Sequence, residues 1–352
     1  MPLITPYSRL LLLSVFLVLF VAAAVGCVSN SSSTATRTPV PTGEKGPVET
    51  TDEIPIASRQ DIKLGFSQLG SESDWRLANT ASIREAAKEA GIELLFDNAE
   101  QSQEKQIEAI RRFIAQKVDV IAFSPVVQSG WEPIMKEVKQ AGIPMIVSDR
   151  SVEVSDSSLY VTFIGSDFTE EGRKAGKYLL DKMRDVPGPV VIAELKGTEG
   201  SAPSVERGKG FREIIAKRED FQIVSSEYAN FTQKEGKEAM RALLREQGSR
   251  IDALFAHNDD MALGAIEAIE EFGLRPGEDI VILSVDGTRK ALEMLAAGKI
   301  NVVVECNPLL GPNLMQAVKE LMAGRTLPKR IVTPESVFTQ AIAEKAASGR
   351  KY

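Results

Sequence analysis

From Asp61 onward, short runs of β-branched and large apolar residues alternate with longer amphipathic stretches, and this alternation constrains the fold more than any other feature of the chain. Ten runs occur: KLGFSQL from Lys63, IELLFD from Ile92, VDVIAFS from Val118, IPMIVSD from Ile143, VTFIGSD from Val161, PVVIAEL from Pro189, FQIVSSE from Phe221, IDALFAH from Ile251, DIVILSVD from Asp279 and NVVVE from Asn301. Near-continuous apolar strands require burial on both faces, as in parallel sheets covered by helices. The intervening stretches carry helical periodicity over 76–90, 103–116, 170–183, 205–217, 234–247 and 261–272. Gly91, Gly142, Gly248, Gly273 and Gly298 close helical stretches and fit left-handed caps, where the missing Cβ removes the steric cost. The pattern predicts an α/β architecture. Ten strand–helix units are too many for one small sheet and the pattern pauses at Gly165-Ser166-Asp167, so two doubly wound parallel-sheet lobes are expected. A TIM barrel is the alternative, but barrels have eight units and no such pause.

Composition narrows the function. A length of 352 residues accommodates roughly two domains, and 43% hydrophobic residues rule out a disordered chain. With 42 Lys and Arg against 49 Asp and Glu, the net charge of −7 gives no basic field for phosphates, so nucleic acid is excluded as an expected partner. The single histidine, His257, argues against a His-rich metal centre or a His-based triad. No G-x-S-x-G, H-E-x-x-H, C-x-x-C, Walker A or post-strand G-x-G-x-x-G motif occurs. No catalytic residue, metal or cofactor is therefore assigned, although Glu72 and Asp286 are carboxylates that a glycosidase would need as a pair.

The amino terminus reads as an export signal. Arg9 precedes an apolar run from Leu10 to Val25, and small residues follow just before Cys27. The Ala24-Val25-Gly26-Cys27 ending resembles a bacterial lipobox, in which the cysteine is lipidated and becomes the first mature residue; Ala24 stands where Leu is usual. A noncleaved membrane anchor is the alternative, but about 16 apolar residues fall short of the roughly 20 that a bilayer needs. Residues 1–26 are thus expected as signal peptide, and 27–60, rich in Ser, Thr, Pro and Gly, as lipidated Cys27 and tether. Cys306 then lacks a disulfide partner and reads as a buried thiol.

Open parallel sheets bind ligands beyond the carboxyl ends of their strands. Those ends deliver Ser71-Glu72 with Trp75-Arg76, Asp97-Asn98, Ser124, Asp149-Arg150, His257-Asn258-Asp259-Asp260, Asp286-Gly287 and Glu305-Cys306-Asn307. Carboxylates, amides and guanidinium forks each grip two neighbouring hydroxyls, and an indole offers a plate to the C–H face of a ring. Those are the requirements of a sugar site. Each residue also has a plainer reading: Asp149 as a helix cap, Trp75 as a core aromatic, and Asp286 as part of a tight turn. His257 and Trp131 read as structural. Asp259 and Asp260 read as caps, leaving Asn258 as the ligand candidate.

The sequence from about 61 to 339 resembles the type I periplasmic sugar-binding proteins of ABC importers, and is more similar to the galactofuranose-binding branch than to the ribose branch. The stretches that carry the likeness are GFSQLGSESDWR, SPVVQSGWEP, DRSVEV, VERGKGF, FTQKEGKE, AHNDDMALGAIEAI and VDGT. The resemblance implies a sugar site built from Glu72, Trp75, Arg76, Asp149 and Arg150 on the amino-terminal lobe. Arg207, Asn258, Asp286 and Glu305 would close on it from the other lobe, with Phe231 matching an aromatic that covers the sugar in the ribose branch. It further implies crossovers near Ser166, Asn307 and Thr333, and hence lobes of 61–166 plus 307–333 and of 167–306 plus 334–342, followed by a tail of 343–352. The expected protein is a monomeric, non-enzymatic, exported lipoprotein. Its expected partners are a monosaccharide, ABC permease subunits and, through lipid on Cys27, the membrane. The alternatives are a sugar-sensing receptor that signals to a membrane kinase or chemoreceptor, and a secreted carbohydrate-active enzyme.

Overall fold

The structure, a computed structural model, describes residues 62–352; the expected signal peptide, Cys27 and the tether lie outside them. The first sheet contains β1 (Lys63–Gln68), β2 (Glu93–Asn98), β3 (Val120–Phe123), β4 (Met145–Ser148) and β5 (Thr162–Gly165). The second contains β6 (Val190–Lys196), β7 (Phe221–Tyr228), β8 (Ala253–Ala256), β9 (Val281–Asp286) and β10 (Val302–Glu305). Two three-residue strands complete them: β11 (Arg330–Val332) joins the first sheet and β12 (Val337–Thr339) the second. The orders are β11-β5-β4-β3-β1-β2 and β12-β10-β9-β8-β6-β7. Every pairing is parallel except β10 with β12. Two open sheets exclude the barrel.

Helices α1 (Asp74–Ala90), α2 (Gln103–Ala115), α3 (Glu132–Gln140) and α9 (Gly311–Met322) belong to the first lobe. The second lobe holds α4 (Phe168–Lys182), α5 (Ala202–Ile215), α6 (Gln233–Gln247), α7 (Asp259–Glu271), α8 (Arg289–Ala296) and α10 (Gln340–Gly349). Strands such as β3, β4 and β8 are buried at every residue, as their unbroken apolar sequences demand. Each lobe has an apolar layer on either face of its sheet, where a fully buried side chain such as Phe66 or Leu283 contributes roughly 1.5–3 kcal/mol.

The chain passes between lobes three times: from β5 to α4, from β10 to α9, and from β11 to β12. In both sheets the strand order reverses beside the first strand of the lobe, at β1/β3 and at β6/β8, and such reversal points open crevices at the carboxyl ends. Capping starts the helices there. Ser73 Oγ accepts from Arg76 N at 3.1 Å, and Asn258 Oδ1 accepts from Met261 N at 3.0 Å. Two glycines fix a further contact. A Cβ on Gly172 would lie 2.0 Å from the Arg207 carbonyl oxygen, and one on Gly210 would lie 1.9 Å from that of Thr169. Helices α4 and α5 therefore touch backbone to backbone, which brings Glu171 beside Arg207.

The structure corrects two expectations. Residues 343–352 are not a tail: they include most of α10, whose Ala343 and Ala347 are buried in the core shared with α8, and Arg289 N donates to Tyr352 O at 2.8 Å. The second lobe therefore runs to the chain end. Gly248 has φ 64° but ψ −144°, so it is not a left-handed cap like Gly91, at φ 69° and ψ 31°.

Candidate functional site

The β1–α1 and β4 ends of the first lobe build one wall of a cavity between the lobes. Arg76, buried in the first turn of α1, directs Nε to Glu72 Oε1 at 3.2 Å, Nη2 to Asp149 Oδ2 at 2.7 Å and Nη1 to Gln68 Oε1 at 3.3 Å. Arg150 donates from Nη1 to the Val126 carbonyl at 3.1 Å and has Nη2 3.7 Å from Glu72. Two cations and two carboxylates thus interlock in one lobe. Burial opposes the charge on Arg76, but Asp149 and Glu72 outweigh it and raise its pKa; burial, reinforced by Arg76, lowers that of Arg150 to about 10.

The opposite wall comes from the second lobe. Arg207 of α5 donates from Nε to Glu171 Oε2 at 2.7 Å and from Nη1 to the His257 carbonyl, with Nη2 3.7 Å from Asp286 Oδ1. Burial, aided by nearby Asp259, Asp260 and Glu171 and opposed by Arg207, raises the Asp286 carboxyl well above the usual carboxylate range. Asn258 caps α7 and donates from Nδ2 to the Phe231 carbonyl at 3.1 Å. The Arg150 guanidinium stands 5.0 Å from the Phe231 ring centroid, and Arg207 stands 5.1 Å from that of Phe168.

Nine of the ten expected ligand residues line this cavity, whose empty space is about 290 Å³ with its open mouth included. Asp149, Phe231 and Asp286 sit there at φ 63°, 62° and 131°. Positive φ costs a residue with a Cβ about 1–3 kcal/mol, and such strain clusters at functional sites. Glu72 Oε2 and Arg150 Nε are buried without a hydrogen-bond partner, which native interiors rarely tolerate. The wall therefore offers an acceptor and a donor to a polar ligand.

The exception is Glu305, whose placement is a correction. Its Oε1 pairs with Arg350 Nη1 at 2.7 Å and its Oε2 accepts from Ser336 N at 3.0 Å, in a separate surface cleft beside Tyr352. The terminal segment expected to be a tail captures that carboxylate. The cap assignment is also reversed. Asn258 is the cap, whereas buried Asp259 accepts from Gly287 N, Thr288 N and Ser284 Oγ, holding the loop after Asp286. Trp75 joins the apolar core of the second lobe and donates from Nε1 to the Cys306 carbonyl at 2.7 Å, so it bridges the lobes as well as lining the cavity. His257 is buried against Glu194 at 3.0 Å, and Trp131 is packed against Phe123. Strand-end reasoning missed Ser73, Phe168 and Pro203, and Arg207 and Phe231 came only from the family resemblance; Cys306, a strand-end residue read as a buried thiol, also lines the cavity. Phe168 follows the first crossover directly, which was the available signal.

The lobes meet around the cavity. Gln128 Nε2 and Ser151 Oγ donate to Glu206 Oε1 at 3.1 and 3.0 Å, and Lys290 Nζ pairs with Asp74 Oδ2 at 2.7 Å. Two hinged α/β lobes enclosing a polar cavity define a two-lobed solute-binding protein. The chain belongs to the periplasmic binding protein domain family, whose match covers residues 64–326. It is 40% identical over 285 residues to the galactofuranose-binding protein YtfQ of Escherichia coli K12, covering 80% of this chain and 89% of that one. A Mycobacterium smegmatis protein crystallised with β-D-fucofuranose is 51% identical with a TM-score of 0.81, over 83% of this chain and 95% of its own. The arabinose ABC transporter binding protein of Shewanella sp. ANA-3, bound to α- and β-L-arabinofuranose, is 45% identical with a TM-score of 0.79, over 82% and 95%.

Proposed function

We propose that this protein captures a furanose-ring monosaccharide between its lobes and delivers it to an ABC permease, as an exported lipoprotein tethered through Cys27. The observation that carries the reading is the lining of the cavity: planar, multi-atom hydrogen-bonding groups from both lobes converge on one space, with aromatic faces beside them. Glu72, Asp149, Asn258 and Asp286 address ring hydroxyls, while Arg76, Arg150 and Arg207 donate to ring or hydroxyl oxygens. The relatives named for galactofuranose, fucofuranose and arabinofuranose support the furanose preference. A ligand that touches both walls favours the closed state by its differential contacts, and the permease reads that state.

A thermal-shift panel of D-fucose, L-arabinose, D-galactose and pyranose-locked methyl glycosides tests the reading. A ligand at 100 times its Kd adds about 2.7 kcal/mol. Free sugars that can form furanoses should raise the melting point and locked pyranosides should not. Equal shifts from both would remove the furanose claim, and product formation would replace binding with catalysis. The tether has its own test: Cys27→Ser should bind sugar normally and incorporate no labelled fatty acid in membrane fractions.

A further inference from the structure

All three crossovers converge on one side-chain cluster behind the sugar cavity. Ser166 of the first crossover donates from Oγ to Glu335 Oε1 of the third, and lies 3.4 Å from Cys306 Sγ of the second. Thr333 Oγ1 reaches the same Glu335 oxygen at 3.4 Å. The Glu171 and Glu335 carboxylates and the Cys306 thiol approach within 4.8 Å of one another. Glu171 is fully buried; its Oε2 accepts from Arg207, while its Oε1 has no hydrogen-bond partner.

We propose that Glu171 and Glu335 hold one proton between them, with Glu335 donating to Glu171 Oε1, and that this pair is the positioning element that ties the crossovers together and aims Arg207 into the cavity. The inference rests on the sugar-binding reading only for its last clause. Two ionised carboxylates this close repel, whereas a shared proton converts the contact into a hydrogen bond and satisfies the orphaned oxygen. Glu171 remains the anion that Arg207 requires.

The surrounding charges agree. Lys174 on α4 donates to the Glu335 carbonyl at 3.1 Å and favours ionisation of that carboxyl, and Arg207 on α5 pairs with Glu171 at 2.7 Å. Glu206 on α5 faces the cluster with the opposite sign, burial favours the neutral forms of Cys306, from the second crossover, and of Asp286, at the end of β9, and Arg330 on β11 donates to the Ser166 carbonyl. Burial, then Glu171, pushes the Glu335 carboxyl up to about 9. An unfolded chain releases that proton near the ordinary Glu value of about 4.3. Its stabilising effect is therefore complete at low pH, declines as pH rises, and is lost above about 9.

Infrared spectroscopy and thermal denaturation of the sugar-free protein, as wild type, Glu335→Gln and Glu171→Gln, test the shared proton. At about pH 7 the wild-type minus Glu335→Gln difference spectrum should show a protonated-carboxyl band beyond the absorption of Asp286 and Asp260 that both proteins share, because the amide replaces the protonated acid. The melting point of Glu335→Gln relative to wild type should rise with pH and level off above about 9. Absence of the band, or a constant melting-point difference, overturns the proposal whether or not any sugar binds. D-fucose titrations then read the coupling: as pH rises through 9, wild-type affinity should fall about tenfold more than that of Glu335→Gln, a one-unit pKa difference between open and closed lobes. Glu171→Gln should bind about tenfold more weakly throughout, since Arg207 loses its anionic anchor. Parallel pH profiles for wild type and Glu335→Gln, or unchanged affinity in Glu171→Gln, overturn the positioning role. If D-fucose binds neither protein at any pH, the sugar reading fails for that probe while the band and melting points still decide the proton.

Discussion

The two walls of the cavity are built differently. On the first lobe, Arg76 binds both Glu72 and Asp149, and Arg150 stands within 4.0 Å of the same two carboxylates; all four lie on β1–α1 and the β4 end. That wall is preformed whether or not the lobes meet. On the second lobe, Arg207 is anchored by Glu171 and only distantly faces Asp286, at 3.7 Å, while Glu171 looks back to the hinge. The first wall is thus linked chiefly within itself, and the second is linked through Glu171 to the hinge. Closure energy should therefore be concentrated in the second.

The comparison is broken most forcefully at Arg76. Arg76→Met leaves the buried Glu72 and Asp149 with only the more distant Arg150, a loss of about 3–5 kcal/mol. Chemical denaturation should register that loss even without sugar. An effect confined to sugar affinity would mean that the first wall is not preformed.

Asp286→Ala should act in the opposite manner, weakening sugar binding by about 2–4 kcal/mol while sparing sugar-free stability. Small-angle scattering with saturating sugar should also show that compaction is lost, because a ligand shifts an equilibrium only by its differential affinity. Since burial raises this carboxyl well above the usual carboxylate range and so favours its neutral form, Asp286→Asn should retain most of the affinity. Normal binding and compaction by Asp286→Ala would reduce Asp286 to a turn residue.

A smaller effect lies where the lobes touch. Asp260 accepts from Asp74 N at 3.5 Å, and burial, followed by Asp74 and Asp259, lifts its pKa to about 7. The closed state holds this proton more tightly, so sugar affinity should fall about fivefold as pH rises through 7, and Asp260→Asn should flatten that change. Titration calorimetry across that range sharpens the account, and an unchanged slope in the variant would remove Asp260 from closure. Smallest of all, the Lys290–Asp74 pair is exposed, and Lys290→Ala should cost about 0.5 kcal/mol of affinity at low salt and almost nothing at high salt.

Much of this contrast is visible in the chain itself. The ten apolar runs locate β1–β10, because a strand buried on both faces can tolerate few polar residues. Ligand candidates could be named because open parallel sheets project their loops at one end, so Asp149, just after β4, and Asp286, the last residue of β9, stand out. Strands β11 and β12 were not legible: three residues carry too little periodicity, and their partners are remote in sequence. Glu305 illustrates the same limit. It ends a strand like the others, but a guanidinium from the last turns of the chain reaches its carboxylate, and no local pattern records that contact.

Sequence alone determined the alternation of strand and helix, the division near Ser166 and the polar character of the strand ends, since these depend on local hydrophobic period and side-chain chemistry. Only the tertiary structure decided which polar groups face one another, because burial, charge pairing and pKa depend on neighbours across the fold. Asp286 becomes a retained proton, Glu305 a structural ion pair, and Glu171 and Glu335 a pair at the hinge because distant segments bring low dielectric and opposing charges to them.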